Sequence, residues 1–244
     1  MNLRITFATA VRVLRQLRGD RRTMAMLLVV PTALMVLLRY VYDDAQQIFD
    51  RIGLPLFGIF PFLTMFLVTS VAMLRERTSG TLERLLTTRL AKLDLLIGYA
   101  LAFSVMALAQ VALASAATFG WLGLDAGGGV VWVALLAVGS ALLGMALGLF
   151  VSAFAATEFQ AVQFMPAFVL PQFLLCGLLV PRGSMPGVLN WASNIMPLSY
   201  AVDGMQRVQQ SAVDRALAAD LLVVAGAVIV ALILAAATLR RRTA

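Results

Sequence analysis

Six stretches of this chain run for roughly twenty residues or more with almost no charge, and they leave very few folds open. They cover about residues 23–42, 52–74, 95–122, 129–156, 159–181 and 219–239, interrupted only by Arg39 in the first and Asp220 in the last. A bilayer core about 30 Å thick is crossed by about 20 apolar residues in a helix. In lipid a single segment satisfies its own backbone donors and acceptors only as a helix. The expected fold is therefore an all-α integral membrane protein with six transmembrane helices. With 61% hydrophobic and 13% charged residues and a mean hydropathy of +0.93, the 244-residue chain lies well outside the range of soluble domains.

A seventh uncharged stretch, Gly183 to Val202, contains Pro186, Pro197, Asn190, Asn194 and three serines. A straight lipid-exposed helix there would leave backbone groups unsatisfied. Short broken helices, re-entrant at the outer surface over about 183–215, are expected instead.

The charges orient the spans. Six arginines precede the first span, five basic residues (Arg75, Arg77, Arg84, Arg89 and Lys92) fall between the second and third, and Arg240 to Arg242 follow the last. Fourteen of the nineteen basic residues thus fall on one face, which the retention of Lys and Arg places in the cytoplasm together with both termini. The opposite loops carry seven aspartates against five arginines. The fourth-to-fifth turn has Glu158 and no positive charge, so it contributes nothing to the orientation. Residues 1–20 carry Leu3, Phe7, Ala10, Leu14 and Leu17 on one helical sector with Arg4, Arg12, Arg15 and Arg18 mostly beside it, the pattern of an amphipathic helix lying in the inner interface.

The excess of positive charge, +7 overall, lies between apolar runs and not on a soluble basic face, so nucleic acid is not expected as a partner. The chain has no histidine, which removes His-based triads and His metal sites and leaves no catalytic, cofactor-binding or metal-ligating set to expect. An intramembrane enzyme would need a nucleophile and a base at matching depth, and the acids are almost confined to loops. The single cysteine, Cys176, sits in an apolar run and reads as a small buried hydrophobe. Phosphate binding through G-x-x-x-x-G-K-[ST] is absent, since the only lysine, Lys92, follows Leu90 and Ala91.

Between the second and third spans, "RERTSGTLERLLTTRLAKLD" (75–94) holds eight charged residues. Ser79 or Gly80 is suited to cap a helix over about 79–91 with Glu83 near its amino end, and Leu82, Leu85, Leu86, Leu90 and Leu93 form an apolar stripe. This segment resembles the one after the second span in type-2 permeases of ATP-binding-cassette exporters, S/T-G-T-L-E-x-L-L, although many members have a proline where this chain has "TTRLAKLD". Far away in sequence, "NIMPLSYAVDGMQ" (194–206) is similar to the stretch before the last span in the daunorubicin-resistance-like branch, with Pro197, Tyr200 and Asp203 at its motif positions.

The resemblance implies a permease subunit that exports a hydrophobic or amphipathic molecule, drug-like or lipid. It implies that ATP and magnesium are bound by two copies of a separate ATPase and that the permease pairs with a second copy or a related chain in a bacterial cell membrane. The loop helix would be a cytoplasmic coupling helix, with Arg75, Glu76, Arg77, Gly80, Thr81, Leu82, Glu83, Leu85 and Leu86 meeting the ATPase. The second and fifth spans would line the pathway, with Phe57, Phe60, Phe66, Gln163, Phe164 and Phe168 as candidates. Alternative functions are export of a lipid-linked glycan by the same mechanism and a docking or sensor subunit that moves no cargo. Two finer expectations come from spacing alone: Asp203 pairs with Arg207 at i,i+4, and Ser140, Gly144, Gly148 and Ser152 form a small-residue face for helix packing.

Overall fold

A computed structural model describes residues 3–81 and 92–238. Among the described residues the chain forms nine α-helices and one 3-10 turn, with no strand. In order they are α1 (Leu3–Gly19), α2 (Arg21–Val41), α3 (Gln46–Thr78), α4 (Lys92–Gly120), α5 (Val130–Val151), α6 (Glu158–Leu175), the 3-10 turn (Arg182–Ser184), α7 (Gly187–Ile195), α8 (Pro197–Gln209) and α9 (Arg215–Thr238). Five of them, α2, α3, α4, α5 and α9, are long and apolar enough to cross a membrane.

The fifth expected span is the exception. Helix α6 has 18 residues, a length of about 27 Å, and stops at Leu175 instead of Pro181. Prolines 166 and 171 interrupt it, and beyond it Gly177 takes φ +92, a left-handed backbone that turns the chain towards the 3-10 segment.

Helix α3 is longer than sequence reading suggested, 33 residues against the expected 52–74. At about 1.5 Å per residue it extends about 50 Å and outruns the bilayer core. Its last turn carries Arg75 and Arg77 out of the apolar zone. Ser79 then closes α3 as its C-cap, and Gly80, φ +71, is the left-handed residue after it.

The core is built where α3 and α5 cross. A Cβ on Gly144 would lie 2.2 Å from the Phe62 carbonyl oxygen, and one on Gly148 would lie 2.6 Å from that of Phe66. The small face therefore admits a neighbouring helix of the same chain, with the fully buried Ser140 on the same stripe opposite Gly58. Inside the bundle the buried Gln110 amide donates to Thr64 Oγ1 at 2.7 Å, and Thr64 donates onward to the Phe60 carbonyl.

Helix α1 lies against α4. Thr9 packs so tightly on Gly98 that a Cβ there would meet Thr9 Cβ at 2.7 Å. The apolar sector read from sequence consequently splits: Ala10 and Leu17 turn inward with Thr6, Thr9 and Val13, while Leu3 and Phe7 stay 76% and 69% exposed beside the arginines. Close approach at Gly98, not hydropathy, selects the inward face.

Contacts at the two ends show which loops share a side. Arg75 at the end of α3 reaches Asp20 before α2 and Glu158 at the start of α6. At the other end Gln209 of α8 meets the Asp50 carbonyl, and Gly128 N–H donates to the Val208 carbonyl at 2.7 Å. Trp121, Trp132 and Trp191 all belong to this second end, where an aromatic belt is expected at a lipid–water boundary.

Replacing Gly144 by Ala should destabilise the detergent-purified chain by about 1–3 kcal/mol, as overpacked sites do. Gly226→Ala, where a new Cβ meets nothing within 4 Å, should be neutral or slightly stabilising, as Gly-to-Ala changes in helices are. Thermal unfolding followed by circular dichroism separates the two, and equal effects would refute the α3–α5 crossing.

Candidate functional site

The loop of interest leaves the bundle where four helix ends meet, and charge holds them together. Asp20 caps α2: its carboxylate accepts from Thr23 N–H at 3.2 Å and from Thr23 Oγ1 at 2.7 Å, and the Thr23 bonds hold it below the usual carboxylate range. Thr157 caps α6 by accepting from Gln160 N–H, and the Gln160 amide oxygen accepts in turn from Ala156 N–H. Glu158 thus occupies the first turn of α6, where the helix dipole favours an anion. Arg75 bridges the two caps. Its Nε and Nη2 donate to the two Glu158 oxygens at 2.7 and 3.0 Å, and its Nη1 lies 3.7 Å from Asp20. The forked geometry fits a guanidinium and would not be reproduced by lysine.

Glu76, one residue on, is gripped by α1. Gln16 donates to its Oε1 at 3.2 Å and Arg12 stands 3.8 Å away. Arg12 also donates to the Tyr99 hydroxyl of α4 at 2.8 Å and lies over the Tyr99 ring. Thr6 of α1 donates to Asp94 of α4 at 3.3 Å. Both flanks of segment 79–91 are therefore pinned to α1. Arg77 is half-buried, and its Nε has no hydrogen-bond partner among the described residues. Gly80 and Thr81 complete the turn, with the Ser79 and Thr81 hydroxyls 2.9 Å apart. Leu82, Glu83, Leu85 and Leu86 lie outside the described residues.

The pathway candidates separate into two groups. Phe57 (1% exposed) and Phe66 (0%) are held in the core of the chain, Phe57 edge-on to Phe119 of α4 at 5.4 Å. They present no open surface in this conformation. Phe60 is half-buried. Gln163 and Phe168 are exposed on α6, with the Phe164 and Phe168 rings edge-to-face at 6.5 Å. Most of the α6 surface is open.

At the far end the 194–206 motif forms a latch. Pro197 opens α8 at its first turn, where a missing N–H costs nothing. Tyr200 Oη donates to the Asn194 carbonyl at 2.8 Å, and Arg182 lies over its ring at 5.0 Å. Arg182 also pairs with Asp203 and donates to Asn194. Burial pushes the Asp203 carboxyl up, against the pull of Arg182. The expected Asp203–Arg207 pair does not form: Asp203 takes Arg182, and Arg207 takes Asp220 at 3.0 Å. Spacing within one helix missed both because each partner comes from another segment. The Arg39–Asp43 pair, i,i+4 at 2.9 Å, forms as spacing suggests.

Sequence reading also passed over Glu158 as a lone charge without consequence, and it is the main partner of Arg75. The usable signal was T-E-F-Q at 157–160, an amino-terminal cap sequence that places an acid at the same end as the arginines.

The ABC-2 type transporter family matches this chain over residues 5–209. The chain belongs to that family. This ABC-2 protein is similar to ABC transporter G family member 20 of Dictyostelium discoideum, 28% identical over 141 residues that cover 58% of this chain and 19% of the relative. It is also similar to Probable multidrug ABC transporter permease YbhS of Escherichia coli (26% over 141 residues, 57% and 37%) and to YbhR of the same organism (28% over 141 residues, 57% and 38%). The match thus spans well under half of each of these relatives. Family membership and the apolar helices together make this ABC-2 chain a multi-pass membrane protein of the type-2 permease kind.

Arg75 and Glu158 are each about half exposed, 54% and 52%, so their pair should contribute about 0.2–1 kcal/mol. A double-mutant cycle with Arg75→Met and Glu158→Gln, read by thermal unfolding in lipid nanodiscs, should return a coupling in that range. A coupling indistinguishable from zero at low salt would remove the bridge from the account.

Proposed function

We propose that this chain is the membrane permease of a bacterial exporter of the daunorubicin-resistance-like branch. It moves a hydrophobic or amphipathic compound outward with energy supplied by a separate ATPase, which binds ATP and magnesium in two copies. A second permease copy completes the pathway, and the basic end with both termini faces the cytoplasm. The observation that carries this reading is the pinned base of the 79–91 segment: Arg75 and Glu76 lead from it directly into α1, α2 and α6. A displacement of this segment by a docked ATPase would therefore be handed to the end of α6 through Arg75.

Two further features support it. Both Escherichia coli relatives are named as multidrug permeases. Helix α6 exposes Gln160, Gln163 and the proline-interrupted turns at 166 and 171. Polar side chains and freed carbonyls are unfavourable against lipid, so this face calls for a second chain or an aqueous route. Phe60, Gln163, Phe164 and Phe168 are then the pathway residues to test first, with Phe57 reached only if α3 parts from α4, and Phe66 only if α3 parts from α5 and α6.

Glu83→Arg should leave insertion and thermal stability unchanged while lowering ATP-driven efflux at least tenfold in liposomes that also contain the ATPase. Efflux at the unmodified rate would contradict the coupling role.

A further inference from the structure

At the end of the molecule that carries Arg75, the described acids are all engaged. Asp20 is held by Thr23 and Arg75, Glu76 by Gln16 and Arg12, Asp94 by Thr6, and Glu158 by Arg75. Arg15 and Arg18 of α1 and Arg21 and Arg22 at the start of α2 are left without an acid. All four are exposed, and none makes an ion pair among the described residues. Four guanidiniums so close along the chain repel one another and attract an anion of matching extent.

The packing of α1 fixes the depth at which they sit. Thr6 and Thr9 face α4, and Gln16 on one flank reaches Glu76 of α3. On the other flank Leu3 and Phe7 make an exposed apolar edge, and at helical spacing Arg18 and then Arg15 come next around the helix. The contacts with α4 fall at Asp94, Gly98 and Tyr99, near its start, and the contact with α3 falls in its last turn. Both α3 and α4 are helices suited to cross a membrane, so α1 lies where they leave the apolar zone. Solvation alone would accommodate the arginines but would leave Leu3 and Phe7 in water. An apolar edge beside a basic edge, at that depth, is the surface of a helix lying in a lipid interface.

We propose that Arg15, Arg18, Arg21 and Arg22 form a binding edge for the headgroups of anionic phospholipids, with Leu3 and Phe7 seated at the boundary of the acyl chains. Guanidiniums donate in pairs to phosphate oxygens. A zwitterionic lipid offers the same phosphate with a cation beside it, so the edge selects lipids by net charge. Gln16, across the helix from this edge, holds Glu76, so lipid bound to α1 bears on the base of segment 79–91. That consequence rests on the export reading and the choice of leaflet on the proposed orientation, whereas binding needs neither.

The test is native mass spectrometry of the full chain in detergent, titrated with phosphatidylglycerol or with phosphatidylcholine of identical acyl chains. The first phosphatidylglycerol is expected to bind at least tenfold more tightly than phosphatidylcholine, a preference that falls as ammonium acetate is raised. Combining Arg15→Gln, Arg18→Gln, Arg21→Gln and Arg22→Gln should abolish the preference, and Arg15→Gln with Arg18→Gln alone should reduce it. Arg51→Gln with Arg215→Gln, at exposed arginines of the other end, should leave it intact. Each variant is scored only when it elutes as one species on size exclusion. As a second readout, exchanging phosphatidylcholine for phosphatidylglycerol in nanodiscs should raise the Tm of the unmodified chain by more than that of the four-glutamine variant. Equal binding of the two lipids, a preference that survives the four substitutions, or one lost equally in the control variant would overturn the proposal. Displacement of phosphatidylglycerol by inorganic phosphate at constant ionic strength would also overturn it, by identifying the occupant as a free anion. If the assembled exporter moves no cargo while the lipid preference holds, the export reading falls and the lipid edge stands; efflux without any lipid preference removes the edge alone.

Discussion

Exclusion of charge from lipid sorts this molecule into an apolar middle and two polar ends, and each end uses its charges differently. At one end Arg12 of α1 and Arg75 of α3 are tied to Glu76, Glu158 and Asp20, and at the other Arg182 and Arg207 are tied to Asp203 and Asp220. Neither set lies in the middle of a span, where ion pairs would carry a heavy desolvation cost. What the middle offers instead is close contact, with Phe62 and Phe66 carbonyls set against Gly144 and Gly148. The two ends are thereby mounted on a tightly packed α3–α5 core.

That arrangement suits transmission of movement. Helix α3 is continuous from Gln46 to Thr78, so whatever displaces its Arg75 end acts on a single long element. The same residue holds the first turn of α6, a helix with two internal prolines and an otherwise open surface. A helix bound mainly along one side and lacking two of its backbone donors to proline is easier to move than one packed all round. The far end of α6 is held differently: its Leu175 carbonyl accepts from the Ser193 hydroxyl at 2.8 Å and from the Ser199 hydroxyl at 3.4 Å, and the Arg182 latch lies beyond it, past the Gly177 turn.

Much of this was legible in the sequence because lipid reduces the choices. Apolar runs marked five helices that are long and apolar enough to cross a membrane, and the four-residue recurrence of Ser140, Gly144, Gly148 and Ser152 marked a packing face. What could not be read were partners drawn from distant segments. Asp203 looked matched to Arg207 because i,i+4 neighbours share one helix face, yet its partner is Arg182, from the 3-10 turn on the other side of α7. The inward face of α1 was hidden for a related reason: Thr9 outcompetes Phe7 because Gly98 gives it a seat, and a seat belongs to the partner helix. The end of α6 was overrun because Cys176 to Val180 are uncharged, and only the backbone at Gly177 reveals the turn.

The claim on which the functional account turns is that the Arg75 end faces the cell interior while the Asp125 and α8 end faces out. Single cysteines at Ser79 and at Asp125, in a chain whose buried Cys176 is replaced by serine, can be challenged in intact cells with a membrane-impermeant maleimide. The account predicts labelling of Asp125→Cys at once and of Ser79→Cys only after the cells are lysed. Labelling of Ser79→Cys from outside intact cells would contradict it.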